Sequence, residues 1–124
     1  MASGELGKIY NDGEVIICEG EEGNCMYVIQ EGQVEVLIAG ENEKEIRLGV
    51  RGEGEFFGEM AIFDRDVRSA TVRALGEARV LTVDKKNFMR RVHEDPSLAF
   101  RLVETMSHRI RELGEEVARL QSTS

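Results

Sequence analysis

The sequence predicts a mainly β domain, either a sandwich or a barrel, with helices at its C-terminal end. Short apolar runs broken by glycine extend over residues 10–83, and beyond Val83 the apolar residues recur at helical spacing. The chain has 124 residues with thirteen glycines and one proline, which suits a single domain with a modest core and many tight turns.

The predicted strands are short and lie at regular intervals. In chain order they cover residues 15–18, 26–29, 34–38, 46–50, 72–75 and 78–83. Glycine-containing turns separate them, such as residues 30–32 between the second and third strands. The pattern breaks once, from Glu59 to Phe63, where we expect a short helical turn inserted between strands. Regularly spaced strands with turn signals between them are typical of a sandwich or barrel.

Two helices are expected after the β region. Asp84 is placed to cap a first helix that runs through Val92, and Pro96 suits the first turn of a second one. Apolar residues of the second helix recur at alternating intervals of four and three, at Ala99, Val103, Met106, Ile110, Leu113, Val117 and Leu120. Such a heptad seam favours a parallel homodimer through these residues, with packing of the stripe on the helix's own domain as the alternative.

These patterns divide the chain into three segments of one domain. Residues 1–9 are expected to be poorly structured, residues 10–83 to form the β core that binds any ligand, and residues 84–121 to form the C-terminal helical segment. No linker, low-complexity tract or internal repeat interrupts them.

Charge and hydropathy exclude some partners. The net charge of −8 argues against a nucleic-acid-binding surface, because phosphate backbones are recognised by positive charge. The sequence contains no run of eighteen apolar residues, so neither a transmembrane helix nor a membrane partner is expected. No basic segment followed by an apolar one opens the chain, so we expect no secretory signal and a cytoplasmic location.

The two cysteines, Cys18 and Cys25, lie on either side of a turn rich in glycine and glutamate. Their spacing allows a disulfide, but in a reducing compartment we expect two free, partly buried thiols. No histidine is near them in the sequence, so these cysteines do not predict a zinc site.

The most informative segment lies between Phe56 and Val72. It places Gly58 and Glu59 at the start of an apolar turn, and Arg68 follows with the small residues Ser69 and Ala70. Backbone N–H groups at a helix start and an arginine fork bind anions, whereas a carboxylate accepts hydrogen bonds from a sugar hydroxyl. The combination suggests a ligand with both a phosphate and a free hydroxyl. The simpler alternative is that Glu59 and Arg68 form a surface ion pair, which would contribute at most about 1 kcal/mol to stability.

This segment resembles the phosphate-binding cassette of the cyclic nucleotide-binding domain family, of the type found in the catabolite activator protein and in regulatory subunits of protein kinase A. The shared pattern, from Phe57 to Thr71, is phenylalanine, glycine, glutamate, an apolar residue and alanine, followed by arginine, a small residue, alanine and threonine. The likeness covers about Tyr10 to Leu120. It implies a double-stranded β-helix, or jelly-roll, barrel with an inserted short helix and a long C-terminal helix.

The resemblance also implies roles for individual residues. Glu59 would accept from the ribose 2′-hydroxyl, Arg68 would pair with the cyclic phosphate, and backbone N–H groups around Met60, Ala61 and Ser69 would contact phosphate oxygens. The ligand-binding set that it implies is Phe57, Gly58, Glu59, Met60, Ala61, Arg68, Ser69 and Ala70.

The identity of the nucleotide is less constrained by the resemblance. Related cAMP-binding kinase domains tend to have alanine at the position of Ser69 and cGMP-binding ones threonine, while the bacterial activator has serine and uses cAMP. The resemblance therefore favours cAMP over cGMP. The two hydroxyl residues with which the activator contacts adenine correspond to Leu113 and Gly114, neither of which can make that hydrogen bond.

We expect a non-enzymatic sensor that binds a cyclic nucleotide and relays its occupancy to the C-terminal helices. The only histidines, His93 and His108, fall in the helical region, so no metal-ligand set on the strands and no nucleophile–base pair is expected. No cofactor beyond the cAMP or cGMP ligand is implied. The alternative is a dimerisation or interaction module whose pocket is vestigial or occupied by another molecule.

Overall fold

The structure is a computed structural model that describes residues 6–59, 61–62 and 67–122, with the side chains at 113, 116, 117 and 120–122 outside the described part. In chain order its elements are β1 (Lys8–Tyr10), β2 (Val15–Ile17), β3 (Cys25–Ala39), β4 (Glu45–Arg51), β5 (Phe56–Phe57), β6 (Thr71–Asp84), α1 (Lys85–Glu94) and α2 (Ser97–Ser122). The predicted mainly β fold with C-terminal helices is therefore confirmed.

The strands form one antiparallel sheet around the long pair β3 and β6. The strand order is β1-β6-β3-β4, while β2 pairs with β6 and β5 pairs with β3. The β3–β6 pairing extends from Cys25 opposite Asp84 to Leu37 opposite Thr71. The shorter strands use different ends of this pair, since β5 pairs at the start of β3 and β4 at its end. The start of β3 therefore lies beside β5, which leads into the segment between Phe56 and Val72.

The structure joins strands that were predicted to be separate. Residues 26–29 and 34–38 belong to one strand, β3, and residues 72–75 and 78–83 belong to β6. The pairing register shifts between Ile29 and Gln33, and Gly32 in this bulge has a φ of +83°. Gly76 within β6 has a φ of +76°. These glycines distort continuous strands without ending them, so the prediction of separate strands was wrong.

A cluster of buried apolar side chains forms the core of the β region. Its buried members are Tyr10, Ile17, Ile29, Val34, Phe57, Val72, Ala74, Ala78 and Val80. Regular structure begins earlier than expected, because Lys8 and Ile9 already pair with Val80 and Arg79. The expectation that the whole of residues 1–9 is poorly structured is therefore wrong at its last two positions, where ladder hydrogen bonds to β6 order the backbone.

By its internal contacts the chain separates into two compact units, residues 1–85 and 86–124. In the second unit the backbone N–H of Ser97 donates to the side chain of Asp95 at 3.2 Å, which caps α2. Phe88 in α1 and Leu102 in α2 are buried. No helix within the described ranges is long and apolar enough to cross a membrane.

The predicted heptad seam is only partly covered in the structure. Ala99 and Met106 are half-buried, whereas Val103 and Ile110 are 63% and 67% exposed. The side chains of Leu113, Val117 and Leu120 lie outside the described residues. Two apolar seam positions thus face solvent in the single chain.

Candidate functional site

Gly58 begins the turn on which the candidate site is built. It directly follows β5, where Phe57 is buried in the core, and its φ is +74°. A Cβ atom at Gly58 would lie 2.8 Å from Arg68 Nη1 and 3.0 Å from Ile17 Cδ1. Both the left-handed backbone and the close neighbours therefore require glycine at this position.

The guanidinium of Arg68 is held by two backbone carbonyls. Its Nη1 donates to the carbonyl oxygen of Gly58 at 2.9 Å, and its Nη2 donates to that of Cys25 at 2.8 Å. The Arg68 backbone is fixed too, because its N–H donates to Glu21 at 2.7 Å and its carbonyl accepts from Gly20 at 2.9 Å. The arginine is therefore ordered at both its backbone and its charged end.

Tyr27 in β3 lies against this guanidinium. Arg68 Cζ is 5.8 Å from the centre of the Tyr27 ring, which itself stacks on Phe57 with centroids 5.1 Å apart. Burial, followed by a hydrogen bond with the Cys25 side chain, raises the pKa of Tyr27 to about 12. The ring is therefore neutral at physiological pH and presents the guanidinium with a π face, not with a phenolate.

Glu59 lies on the same turn as the carbonyl that holds Arg68. It is half-buried and directly follows Gly58. Its backbone carbonyl accepts from the N–H of Ile62 at 3.0 Å, and the N–H of Ala61 donates to Gly58 at 3.3 Å. These bonds close a helical turn in which Ala61 and Ile62 are buried, as expected for the inserted short helix. The structure therefore brings Arg68 to the residue preceding Glu59.

The other predicted site residues follow from this arrangement. Ser69 is exposed and Ala70 is half-buried, directly after the anchored Arg68. Thr71 opens β6, and its hydroxyl accepts from the backbone N–H of Glu19 at 3.0 Å. Met60, like Phe63 at the predicted end of the inserted turn, lies outside the described residues.

This arrangement is suited to an anion. In the described part of the chain, the oxygen acceptors that Arg68 meets are both uncharged carbonyls. A guanidinium carries five N–H donors, so these two bonds neither cancel its charge nor use all of its donors. A phosphate that approaches it would form charge-assisted hydrogen bonds, the stronger class of such bonds.

The sequence did not predict Cys25 and Tyr27 as residues of this site. Cys25 contacts Arg68 through its carbonyl and, at 3.9 Å, through its Sγ, and Tyr27 contacts it through its ring. Both lie more than forty positions away from Arg68 in the chain, and no local pattern links residues so far apart. Cys18 and Cys25 are both free, the first exposed and the second half-buried.

Sequence comparison gives one family and several relatives. A model of the family described as "Cyclic nucleotide-binding domain" matches residues 8–95. The chain is 38% identical over 111 residues to a putative potassium channel protein of Rhodopseudomonas palustris, covering 88% of this chain and 26% of that protein. It is 33% identical over 112 residues to the cAMP-activated global transcriptional regulator CRP of Salmonella typhimurium, covering 90% and 53%. The chain thus spans about half or less of the length of these relatives.

Solved structures with the same fold include that of the Thermus thermophilus catabolite activator protein, with a TM-score of 0.82, 27% identity and coverage of 92% of this chain and 54% of the other. The half-site-occupied EAL enzyme Bd1971 has a TM-score of 0.69 and 34% identity, with coverage of 89% and 97%. The cGMP-bound form of Bd1971 has a TM-score of 0.64 and 36% identity, with coverage of 84% of this chain and 28% of the other. The cAMP-bound form has a TM-score of 0.64 and 34% identity, with coverage of 89% of this chain and 30% of the other. These likenesses confirm the predicted jelly-roll fold class.

Proposed function

The chain belongs to the cyclic nucleotide-binding domain family, and we propose that it is a non-enzymatic regulatory domain that binds a cyclic nucleotide at the Gly58–Ser69 site. The observation that carries this proposal is the pre-ordered Arg68. Its guanidinium is fixed by two neutral carbonyls beside the Gly58–Glu59 turn. Preorganising a cation in this way lowers the entropic cost of binding an anion.

The proposed contacts are those that the family resemblance implies. Arg68 binds the cyclic phosphate, and Glu59, on the adjoining turn, accepts from the ribose 2′-hydroxyl. The N–H groups of Met60, Ala61 and Ser69 complete the phosphate site. The hydrogen bond from Ala61 to Gly58 is 3.3 Å long in the free chain, at the weak end of the range for such bonds, so a phosphate oxygen can replace it at little cost. Phe57, Gly58 and Ala70 shape the turn and admit the ligand.

We infer that cAMP is bound in preference to cGMP. A regulator named as cAMP-activated is among the relatives, and Bd1971 has been solved with either nucleotide. Ser69 is exposed, so its hydroxyl is accessible to a base or phosphate. The preference is tested by titrating the same protein with each nucleotide, and an affinity for cGMP equal to or above that for cAMP would contradict it.

Replacing Arg68 tests the binding proposal. Arg68→Ala removes charge-assisted hydrogen bonds worth about 1.5–3 kcal/mol each, so cAMP affinity should fall at least about tenfold in isothermal titration calorimetry. Arg90→Ala, which removes an exposed arginine of α1, is the matched control. Undiminished binding by Arg68→Ala, or equal losses in both variants, would remove Arg68 from this role.

Occupancy of the site is proposed to reach α1 and α2 by a population shift. The ligand orders the turn after Gly58, and it favours one state of the helices only as far as its affinities for the two states differ. Amide hydrogen exchange over residues 86–122 should therefore change with saturating cAMP. If exchange changes only around the turn after Gly58, the domain binds the nucleotide but does not relay its occupancy to the helices.

Further proposals concern catalysis, location and partners. The described residues bring together no group of three histidine, cysteine, aspartate or glutamate side chains that could hold a metal ion. The net charge of −8 opposes direct contact with nucleic acid. We place the domain in the cytoplasm, away from the membrane surface, where it acts on an output element through its helices.

A dimerisation or interaction module is the second candidate function. It is favoured by Val103 and Ile110, which are exposed along one seam of α2. We propose a parallel homodimer through the full seam, namely Ala99, Val103, Met106, Ile110, Leu113, Val117 and Leu120. Thermal shift separates the two candidates, because only the binding domain gains stability in excess cAMP or cGMP.

A further inference from the structure

Gly23 has an ordinary backbone conformation, but the guanidinium of Arg68 lies unusually close to it. Its φ lies outside the left-handed region that makes glycine necessary at Gly58 and Gly32. A Cβ atom added to Gly23 would nevertheless lie 2.1 Å from Arg68 Nε and 2.2 Å from Arg68 Cζ. The guanidinium therefore packs directly on the Gly23 backbone, where no side chain fits.

The Tyr27 ring is a second surface on which the guanidinium lies. It is fixed by its stacking on Phe57, with an angle of 14° between the two rings, and by the pairing of β3 with β5 and β6. Together with the carbonyls of Gly58 and Cys25, the backbone of Gly23 and the ring of Tyr27 confine the guanidinium to one orientation.

We propose that Gly23 and Tyr27 are positioning residues, which set the orientation in which Arg68 meets its anionic ligand. The identity of that ligand rests on the proposed function, but the positioning itself does not. Neither residue needs to touch the ligand, because both act through the guanidinium. An arginine whose remaining N–H donors already point in a fixed direction binds an oxyanion with less loss of side-chain entropy than a freely moving one.

The steric argument predicts how Gly23→Ala behaves. The atoms that a Cβ would displace belong to the far end of a flexible side chain and not to backbone. The barrel can therefore keep its fold while the guanidinium moves away from its two carbonyls. This differs from Gly58→Ala, in which a left-handed backbone is strained as well.

The first test needs no ligand. The Nε–H resonance of Arg68, assigned by its loss in Arg68→Lys, should be shifted by the ring current of Tyr27 and exchange slowly in the free protein. Gly23→Ala and Tyr27→Leu should move it to the position of a solvated arginine, while Tyr27→Phe, which keeps the ring, should not. An unchanged resonance in Gly23→Ala overturns the positioning role, whatever the binding data show.

The second test is a double-mutant cycle with cAMP and, separately, cGMP as the probes. Gly23→Ala should weaken binding at least about tenfold in the wild-type background and by less than about twofold when Arg68 is already alanine. Gly52→Ala is the matched control, since its φ is ordinary and the nearest atom to its added Cβ is 3.9 Å away. Equal losses in both backgrounds would make Gly23 merely structural and overturn the inference. If the wild-type protein binds neither nucleotide, the proposed function fails, and the resonance of Arg68 alone decides the positioning role.

Discussion

Glu35 is the one charged residue that the described part of the chain buries, at 7% exposure. Its two carboxylate oxygens accept from Arg47 Nη2 at 2.8 Å and from Arg73 Nε at 2.7 Å. These hydrogen bonds, that of Arg73 first, hold the pKa of Glu35 below its usual range. In the sequence this glutamate alternates with Val34 and Val36, and alternation alone would place it on the solvent face of the strand.

The lowered pKa makes the stabilisation by Glu35 dependent on pH. A carboxyl whose pKa is depressed on folding contributes fully above its unfolded pKa, about 4.3 for glutamate, and loses the contribution as the pH falls through the folded pKa. We expect Glu35→Gln to lower the free energy of unfolding at neutral pH and to differ much less from the wild type in strong acid.

Urea denaturation at about pH 7 and at about pH 3 measures this difference. Glu45→Gln is the control, because Glu45 also meets Arg73, at 3.2 Å, but is 54% exposed. If the free energies of unfolding of the wild type and of Glu35→Gln differ by the same amount at both pH values, the charge of Glu35 contributes nothing to stability.

At the scale of elements, the long strands β3 and β6 depend on glycines with left-handed backbones. Gly32 has a φ of +83°, and a Cβ there would lie 2.3 Å from the carbonyl oxygen of Glu77 in β6. Backbone held in a ladder cannot move aside as a flexible side chain does. The bulge in β3 therefore excludes a side chain for two reasons at once.

A matched pair of substitutions separates these two reasons. Gly54 has a φ of +82° with no atom within 4 Å of its added Cβ, so Gly54→Ala should lower stability by the backbone strain alone, about 1–2 kcal/mol. Gly32→Ala adds a clash with backbone and should lower it by about 3 kcal/mol or more. If chemical denaturation shows equal losses of stability in the two variants, the backbone at Glu77 moves aside to accommodate the added Cβ atom.

The elements show which parts of the structure the sequence could predict. Local signals sufficed for the start of the second helix at Pro96 and for the glycine–carboxylate turn at Gly58, because helix starts and turns depend on adjacent residues. Gly32 and Gly76 carry the same left-handed signal as a turn, and only strand pairing shows that the ladder continues through them. The contacts of Arg68 with Gly23 and Tyr27 are tertiary and have no local signal.

At the scale of the whole molecule, the exposed seam of α2 determines the expected assembly. Val103 and Ile110 are more than 60% exposed in the single chain, and both occupy the same heptad position. In a parallel dimer each would insert between residues of the partner helix. The single chain thus leaves apolar area exposed that a second copy would bury.

Placing charge in this seam should separate the dimer. Val103→Glu combined with Ile110→Glu would place like charges in a desolvated interface, so the mass measured by light scattering or sedimentation should fall to that of one chain. Ala118→Glu, which introduces the same side chain at an exposed position of α2 outside the seam, is the control. A wild-type protein that is already monomeric at high concentration would rule out this dimer.

The position of Tyr27 has one practical consequence. The chain contains no tryptophan and two tyrosines, so emission excited at wavelengths that phenylalanine does not absorb comes from Tyr10 and Tyr27 alone. One of these two chromophores lies against the guanidinium to which we assign the phosphate. Fluorescence of the unlabelled protein therefore reports on that contact directly, and Tyr10→Phe would leave a single emitter at the binding site.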